Sequence, residues 1–209
     1  MVSGTTLLTY IAIVLGFVFI PGPATLLTVA RASSSGTKVG IATGAGIAAG
    51  DVIHTFMAIV GVSAIIAASA ALFNIVKYFG AAYLIYLGIQ AILAKTPSEP
   101  MADRALPITA QKAFQQAILA EVLNPKTALF FLAFLPQFVR PENGLIALQL
   151  TILGIIFVLL GLLSTVAFAV SAGSLGGLLR RNPTVLKWQG TVVGSIYCAI
   201  GVRLAFQAR

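Results

Sequence analysis

The chain has 209 residues, of which 59% are hydrophobic and only 9% charged, with a formal net charge of +8. A soluble domain carries about 25% charged residues; this chain cannot cover itself with a polar surface in water, so a soluble enzyme is excluded, and so is a disordered chain. One cysteine excludes a disulfide framework and a zinc cluster, and the basic residues are scattered among short loops, so no nucleic-acid partner is expected.

A membrane-spanning helix needs roughly 20 apolar residues, and six apolar segments follow one another at 5–30, 39–68, 70–94, 113–138, 145–172 and 188–206. They predict an all-α membrane protein with six transmembrane helices. The residues from Met1 to Thr6 include no Lys or Arg and no small-residue cleavage site, so the first segment is expected to stay as a span rather than leave as a signal.

The first span contains Pro21-Gly22-Pro23. Each proline removes an amide donor and clashes with the preceding turn; Pro21 frees the carbonyl of Phe17 and Pro23 that of Phe19. The helix is predicted to break or kink strongly there. Irregular backbone at membrane depth is tolerated where it is buried in protein or lines a cavity, and a packed structural kink is the plain alternative. The second span carries Gly40, Gly44, Gly46 and Gly50, two small-xxx-small pairs that let helices approach closely; approach to span 1 would bring Asp51 towards the break. Asp51 lies about 20 Å along a helix from Lys38, near the bilayer middle, with His54 and Thr55 on its face. A charge there costs roughly 2.5–3.5 kcal/mol on insertion scales, which makes functional use the default reading. The alternative is a buried salt bridge, for instance with Lys126. A lone histidine such as His54 is more often a hydrogen-bonded packing residue.

Spans 2 and 3 are separated only by the weak break at 69–74 and are expected to form a tight hairpin. The stretch 95–112, with Pro97, Pro100 and Pro107 among charges of both signs, reads as a linker between two halves, 1–94 and 113–209. In span 4, Asn124-Pro125 pairs a favoured N-cap with a favoured first helical residue, so a helix is expected to restart there. Glu121 and Lys126 flank it and could pair with each other. The later breaks fall at 140–144 and 173–187, and span 6 repeats the small-residue spacing at Gly190 and Gly194.

Pro23-Ala24-Thr25 resembles Pro125-Lys126-Thr127, and Lys77-Tyr78-Phe79-Gly80 resembles Lys187-Trp188-Gln189-Gly190. Together these matches suggest two repeats of three spans, the second upside down relative to the first, as in many secondary transporters. Loops 1, 3 and 5 hold Arg31, Lys38, Lys95, Arg104, Lys112, Arg180, Arg181 and Lys187, against Lys77, Arg140, Arg203 and Arg209 on the other side. The positive-inside rule then places both termini outside the cytoplasm.

The half-helices restarting near Pro23 and Pro125 would present free amides to an anion, and the freed carbonyls before each break suit a cation. Such a site fits a zwitterion. Gly-x-Ser-x-Gly, His-Glu-x-x-His and phosphate-loop motifs are missing, so the protein is not expected to be an enzyme or to carry a cofactor. A metal site could add only carboxylates to His54 and Cys198. An exporter of a metal ion or other small cation, and a passive channel, are the alternatives; the spans hold too few polar residues to line a continuous pore.

Ile20-Pro21-Gly22-Pro23, Gly50-Asp51, Gly80-Ala81-Ala82-Tyr83-Leu84 with Leu87-Gly88, and Leu123-Asn124-Pro125-Lys126 followed by Phe130-Phe131 and Pro136-Gln137-Phe138 resemble the LysE/RhtB amino-acid exporters. The resemblance implies a multi-pass protein of the cell inner membrane that exports amino acids or close derivatives and is driven by the proton gradient. The expected binding residues are Pro21, Gly22, Pro23, Asp51, Glu121, Asn124, Pro125 and Lys126, with Asp51, Glu121 and His54 expected to couple protons. The expected partners are a small zwitterionic substrate, protons and the lipid bilayer, and assembly into a homo-oligomer is left open.

Overall fold

The computed structural model describes residues 2–19, 22–68, 70–93 and 108–181, with isolated positions between 191 and 206. Pro21, most of the 95–112 stretch, Lys187 to Gly190 and most of the sixth apolar segment lie outside the described residues. The described chain is helical, without a strand. In order it forms α1 (Gly4–Phe19), α2 (Pro23–Ser35), α3 (Thr37–Ala68), α4 (Ala70–Leu93), α5 (Ala110–Val122), α6 (Pro125–Leu129) and α7 (Ile146–Arg181). A π turn (Phe130–Phe134) and a 3₁₀ turn (Leu135–Phe138) continue α6.

Two helices, α3 and α7, are long and apolar enough to cross a membrane alone, and two bent pairs reach that length together. The α1–α2 pair bends by 49° and the pair formed by α5 with Pro125–Phe138 by 46°. Both bends fall where proline was expected to interrupt the helix. Pro125 has no amide hydrogen and clashes with the turn before it, so α5 cannot run on unbroken. Pro136 acts in the same way on the turn ahead of it, where the helix has loosened into the π form.

Two breaks are shorter than the sequence suggested. The α2 helix runs to Ser35, and Gly36, with φ 93°, is the single residue between it and α3; only a residue without Cβ adopts that conformation readily. The α7 helix continues to Arg181, through the first part of the 173–187 break, because residues 173–181 carry glycine but no proline.

The helix α3 is the central post. It packs along α5 and α7 and against α2, and its glycines make this possible. A Cβ on Gly50 would stand 2.6 Å from Glu121 Cβ, one on Gly44 2.7 Å from Thr165 Oγ1, and one on Gly46 would meet the Phe114 carbonyl of α5. The second small-residue pair of span 2 therefore admits α5. Only Gly40 faces the α1–α2 pair, against Ala32. Side chains facing away from these contacts, among them Val52, Phe56 and Val60 on α3 and Leu159, Leu163 and Val170 on α7, are exposed and apolar, as a lipid-facing surface requires.

Under the π turn lies an aromatic core. Phe130 packs on Phe17, Phe134 and Phe157 with ring centroids 4.5, 5.0 and 4.8 Å apart, and Tyr10 meets Phe138 edge-on at 5.0 Å. The buried Tyr10 hydroxyl donates to the Leu153 carbonyl at 3.0 Å, which satisfies the polar end of an otherwise apolar residue.

Candidate functional site

The two breaks meet. Gly22 has extended backbone and sits at the N-cap of α2, where no side chain caps the helix. The first amides of α2 thus have neither an intrahelical partner nor a capping side chain. At the second break Asn124 is the N-cap, and its Oδ1 accepts from the Lys126 amide at 3.1 Å. This terminus is closed by its own cap. From the sequence both half-helix ends were offered to an anion, with Asn124-Pro125 the stronger restart; the structure leaves the α2 end the open one.

Between the breaks is a cavity of about 40 Å³, lined by Phe17, Val18 and Gly22 to Thr25 of the first pair, and by Glu121, Asn124, Lys126 and Thr127 of the second. Ile47 and Asp51 of α3 and Phe157, Gly161 and Thr165 of α7 complete it. That volume holds roughly three waters. Of the residues singled out from the sequence, Gly22, Pro23, Asp51, Glu121, Asn124 and Lys126 converge on this one cavity. Pro125 is exposed and lies off it, His54 stands behind it, and Pro21 is outside the described residues.

The charged groups are packed together. Asp51 is 2% exposed and Glu121 3%, and both carboxyls line the cavity. Asp51 Oδ1 is buried without a hydrogen-bond partner among the described residues, which is rare for a native polar atom and calls for a functional reason. Its other oxygen lies against Gly161, where a Cβ would come within 3.3 Å. Glu121 receives Asn124 Nδ2 on both carboxyl oxygens, each at 3.2 Å. Lys126 Nζ feels both carboxylates, stands 4.2 Å above the Phe17 ring, and donates to the Phe17 carbonyl at 3.4 Å. That carbonyl is the one Pro21 was expected to free. The neighbouring Val18 carbonyl accepts from Ser164 Oγ at 2.8 Å. The Phe17 and Val18 carbonyls before the first break are thus met by donors of the protein itself.

The second break follows the same rule. Pro125 removes the amide that would have bonded the Glu121 carbonyl. This carbonyl instead pairs with His54 Nε2 and accepts from the Asn124 amide, both at 2.9 Å.

Several lining residues were not singled out from the sequence. Thr25 and Thr127 are both buried, both line the cavity, and occupy matching places in Pro23-Ala24-Thr25 and Pro125-Lys126-Thr127; the internal similarity could have nominated them. Phe17, Phe157, Gly161, Ser164 and Thr165 carry no comparable local signal, since aromatic and small residues abound in every span.

The family model of the LysE type translocator matches residues 15–208. The uncharacterized membrane protein YrhP of Bacillus subtilis (strain 168) is 39% identical over 166 residues, covering 76% of this chain and 79% of its own. The uncharacterized membrane protein PA4757 of Pseudomonas aeruginosa is 30% identical over 202 residues, 94% of this chain and 93% of its own. The leucine efflux protein of Salmonella typhimurium is 34% identical over 139 residues, 65% of this chain and 66% of its own. No solved structure matches. With a family match running from within α1 almost to the end of the sequence, the chain belongs to the LysE type translocator family.

Proposed function

We propose that the protein exports a small zwitterionic amino acid, or a close derivative, across the cell inner membrane in exchange for protons. The observation that carries the reading is the cavity between the two breaks, where the Asp51 and Glu121 carboxyls, the Lys126 ammonium and the open N-terminus of α2 face one small volume. A substrate carboxylate fits between Lys126 and the first amides of α2, because those amides point at the positive end of the helix dipole. The substrate ammonium fits against Asp51 Oδ1, a buried acceptor without a hydrogen-bond partner among the described residues. Protonation of the Asp51–Glu121 pair from outside removes its negative charge, weakens the grip on the ammonium and couples release to the gradient.

The leucine efflux relative supports the choice of amino acids as cargo, and the apolar wall of Phe17, Ile47 and Phe157 makes branched-chain types the first to test. Carrying an amino acid through this space from one face of the membrane to the other calls for the two halves to part. Rocking of two inverted three-span repeats, 1–94 and 113–209 about the 95–112 linker, accounts for such parting. The test is efflux from vesicles loaded with a panel of amino acids, with and without an uncoupler. Uphill export of at least one, abolished by the uncoupler, supports the reading. Export that ignores the uncoupler removes the proton, and export of none removes the cargo.

A further inference from the structure

We propose that His54 is a positioning residue, a clasp that fixes the bend of the second broken span, and not a carrier of the transported proton. The inference rests on the cavity reading only for its transport readout.

The sequence offered His54 as a proton-coupling group beside Asp51. Its surroundings point elsewhere. It is 2% exposed and does not line the cavity. On one side its Nε2 lies 2.9 Å from the Glu121 carbonyl, the last turn of α5 before the break. A carbonyl oxygen can only accept, so Nε2 carries the hydrogen and donates. On the other side the imidazole stacks on Phe131, with centroids 5.8 Å apart and planes 19° from parallel. Phe131 belongs to the π turn beyond the break. One side chain of α3 thus grips both arms of the 46° bend.

The acceptor explains why a donor is needed. Pro125 has emptied the Glu121 carbonyl of its helical partner; the Asn124 amide takes one of its lone pairs, and His54 satisfies the other from across the bend, where buried backbone polar groups need partners. The first break shows the same arrangement in reverse, with the Phe17 carbonyl taken by Lys126 from the second broken span. Each break is therefore held by a side chain from the other half of the protein. What His54 positions is the Glu121 carboxyl and, through Asn124, the cap of α6. The titratable groups near it are Glu121 on α5, Asp51 on its own helix and Lys126 on α6, and all three line the cavity while His54 does not.

Two substitutions separate the roles. Gln places its amide nitrogen where His places Nε2, whereas Asn reaches only as far as Nδ1, and neither titrates near neutrality. In a Cys198→Ser background, paired spin labels at exposed Leu119 and Leu132 report the bend without reference to transport. His54→Gln is expected to keep the wild-type label distance, uphill export within about twofold and an unchanged pH profile. His54→Asn is expected to broaden the distance distribution and slow export about tenfold, the equivalent of roughly 1.4 kcal/mol of lost hydrogen bonding, again with the pH profile unmoved. Loss of uphill export with retained exchange in both variants would make His54 the proton carrier and overturn the proposal. Unchanged distances in His54→Asn, or failure of Gln to restore them, would overturn it as well. If neither the wild type nor any variant moves amino acids, the transport reading fails while the distances still decide on the clasp.

Discussion

Asp51 and Lys126 face the same cavity with opposite charge, and what each touches decides what a substitution there does. Asp51→Asn keeps shape and hydrogen-bonding capacity but cannot titrate. The variant is expected to insert, fold and exchange substrate, yet fail to concentrate it against a gradient, which counterflow and uphill export measured side by side will show. Glu121→Gln is expected to be milder, since an amide oxygen can still receive Asn124 Nδ2 and the backbone carbonyl that His54 grips is untouched. Wild-type uphill export by Asp51→Asn with intact uncoupler sensitivity would move the coupling role to Glu121. Gly22 offers a second test. A Cβ there would stand 3.0 Å from Lys126 Nζ, the far end of a flexible side chain that can give way. Gly22→Ala is therefore expected to leave the amount of folded protein unchanged and to raise the half-saturating substrate concentration about tenfold, as removal of one charged hydrogen bond does. Unaltered saturation would mean that Lys126 does not hold the substrate where the cavity suggests.

At the scale of elements, the breaks were legible and their partners were not. Proline within an apolar run has one local consequence, a missing amide, so Asn124-Pro125 announced a capped restart at the position where the helix bends. The burial of Asp51 could likewise be expected from its place in the middle of an apolar span. Which donor would satisfy each freed carbonyl is a long-range fact: Ser164 lies far along the chain from Val18, as Lys126 does from Phe17, and periodicity within one span cannot join them. The glycines of span 2 show the same division, since their spacing foretold close packing but not that the partners would be divided among α2, α7 and α5. Two predictions belong here. Gly50→Ala puts a Cβ 2.6 Å from Glu121 Cβ and is expected to lower stability by about 1–3 kcal/mol, the usual cost of overpacking, read as a fall in the thermal midpoint in detergent. Pro125→Ala restores an amide that competes with His54 for the Glu121 carbonyl. It is expected to straighten the bend and reduce export by about tenfold while stability holds or rises, because a helix interior is about 3 kcal/mol better off without proline. Full activity in the straightened variant would show that the bend is not needed for transport.

For the molecule as a whole, the open question is which way it sits in the membrane. The fold gathers Arg31, Lys38 and Lys112 at one end. Arg31 near the end of α2 donates to Gln116 of α5 at 3.0 Å, the Ile108 amide donates to Ser35 Oγ at 3.2 Å, and Lys38 and Lys112 stand in the first turns of α3 and α5. The fourth predicted span then travels from this end, through its bend, to Arg140 and the 3₁₀ turn Pro141–Asn143 at the opposite end. There Gln149 ties down the turn by receiving the Arg140 amide at 3.0 Å and donating to the Arg140 carbonyl at 2.8 Å. Lysine and arginine in short loops are retained on the cytoplasmic side, so the Arg31–Lys38–Lys112 end is expected to face the cytoplasm and the Arg140 end the outside. With an even number of spans both termini then lie outside as well. Single cysteines at Lys112 and Glu142 in a Cys198→Ser background distinguish the two orientations without reference to the final span. In intact cells a membrane-impermeant maleimide should label Glu142→Cys and spare Lys112→Cys until the membrane is opened, and reporter fusions at Arg209 should read as external. The reverse labelling pattern would invert the molecule. Correct labelling with a cytoplasmic C-terminus would keep the orientation but leave an odd number of spans, which is incompatible with two inverted repeats of three.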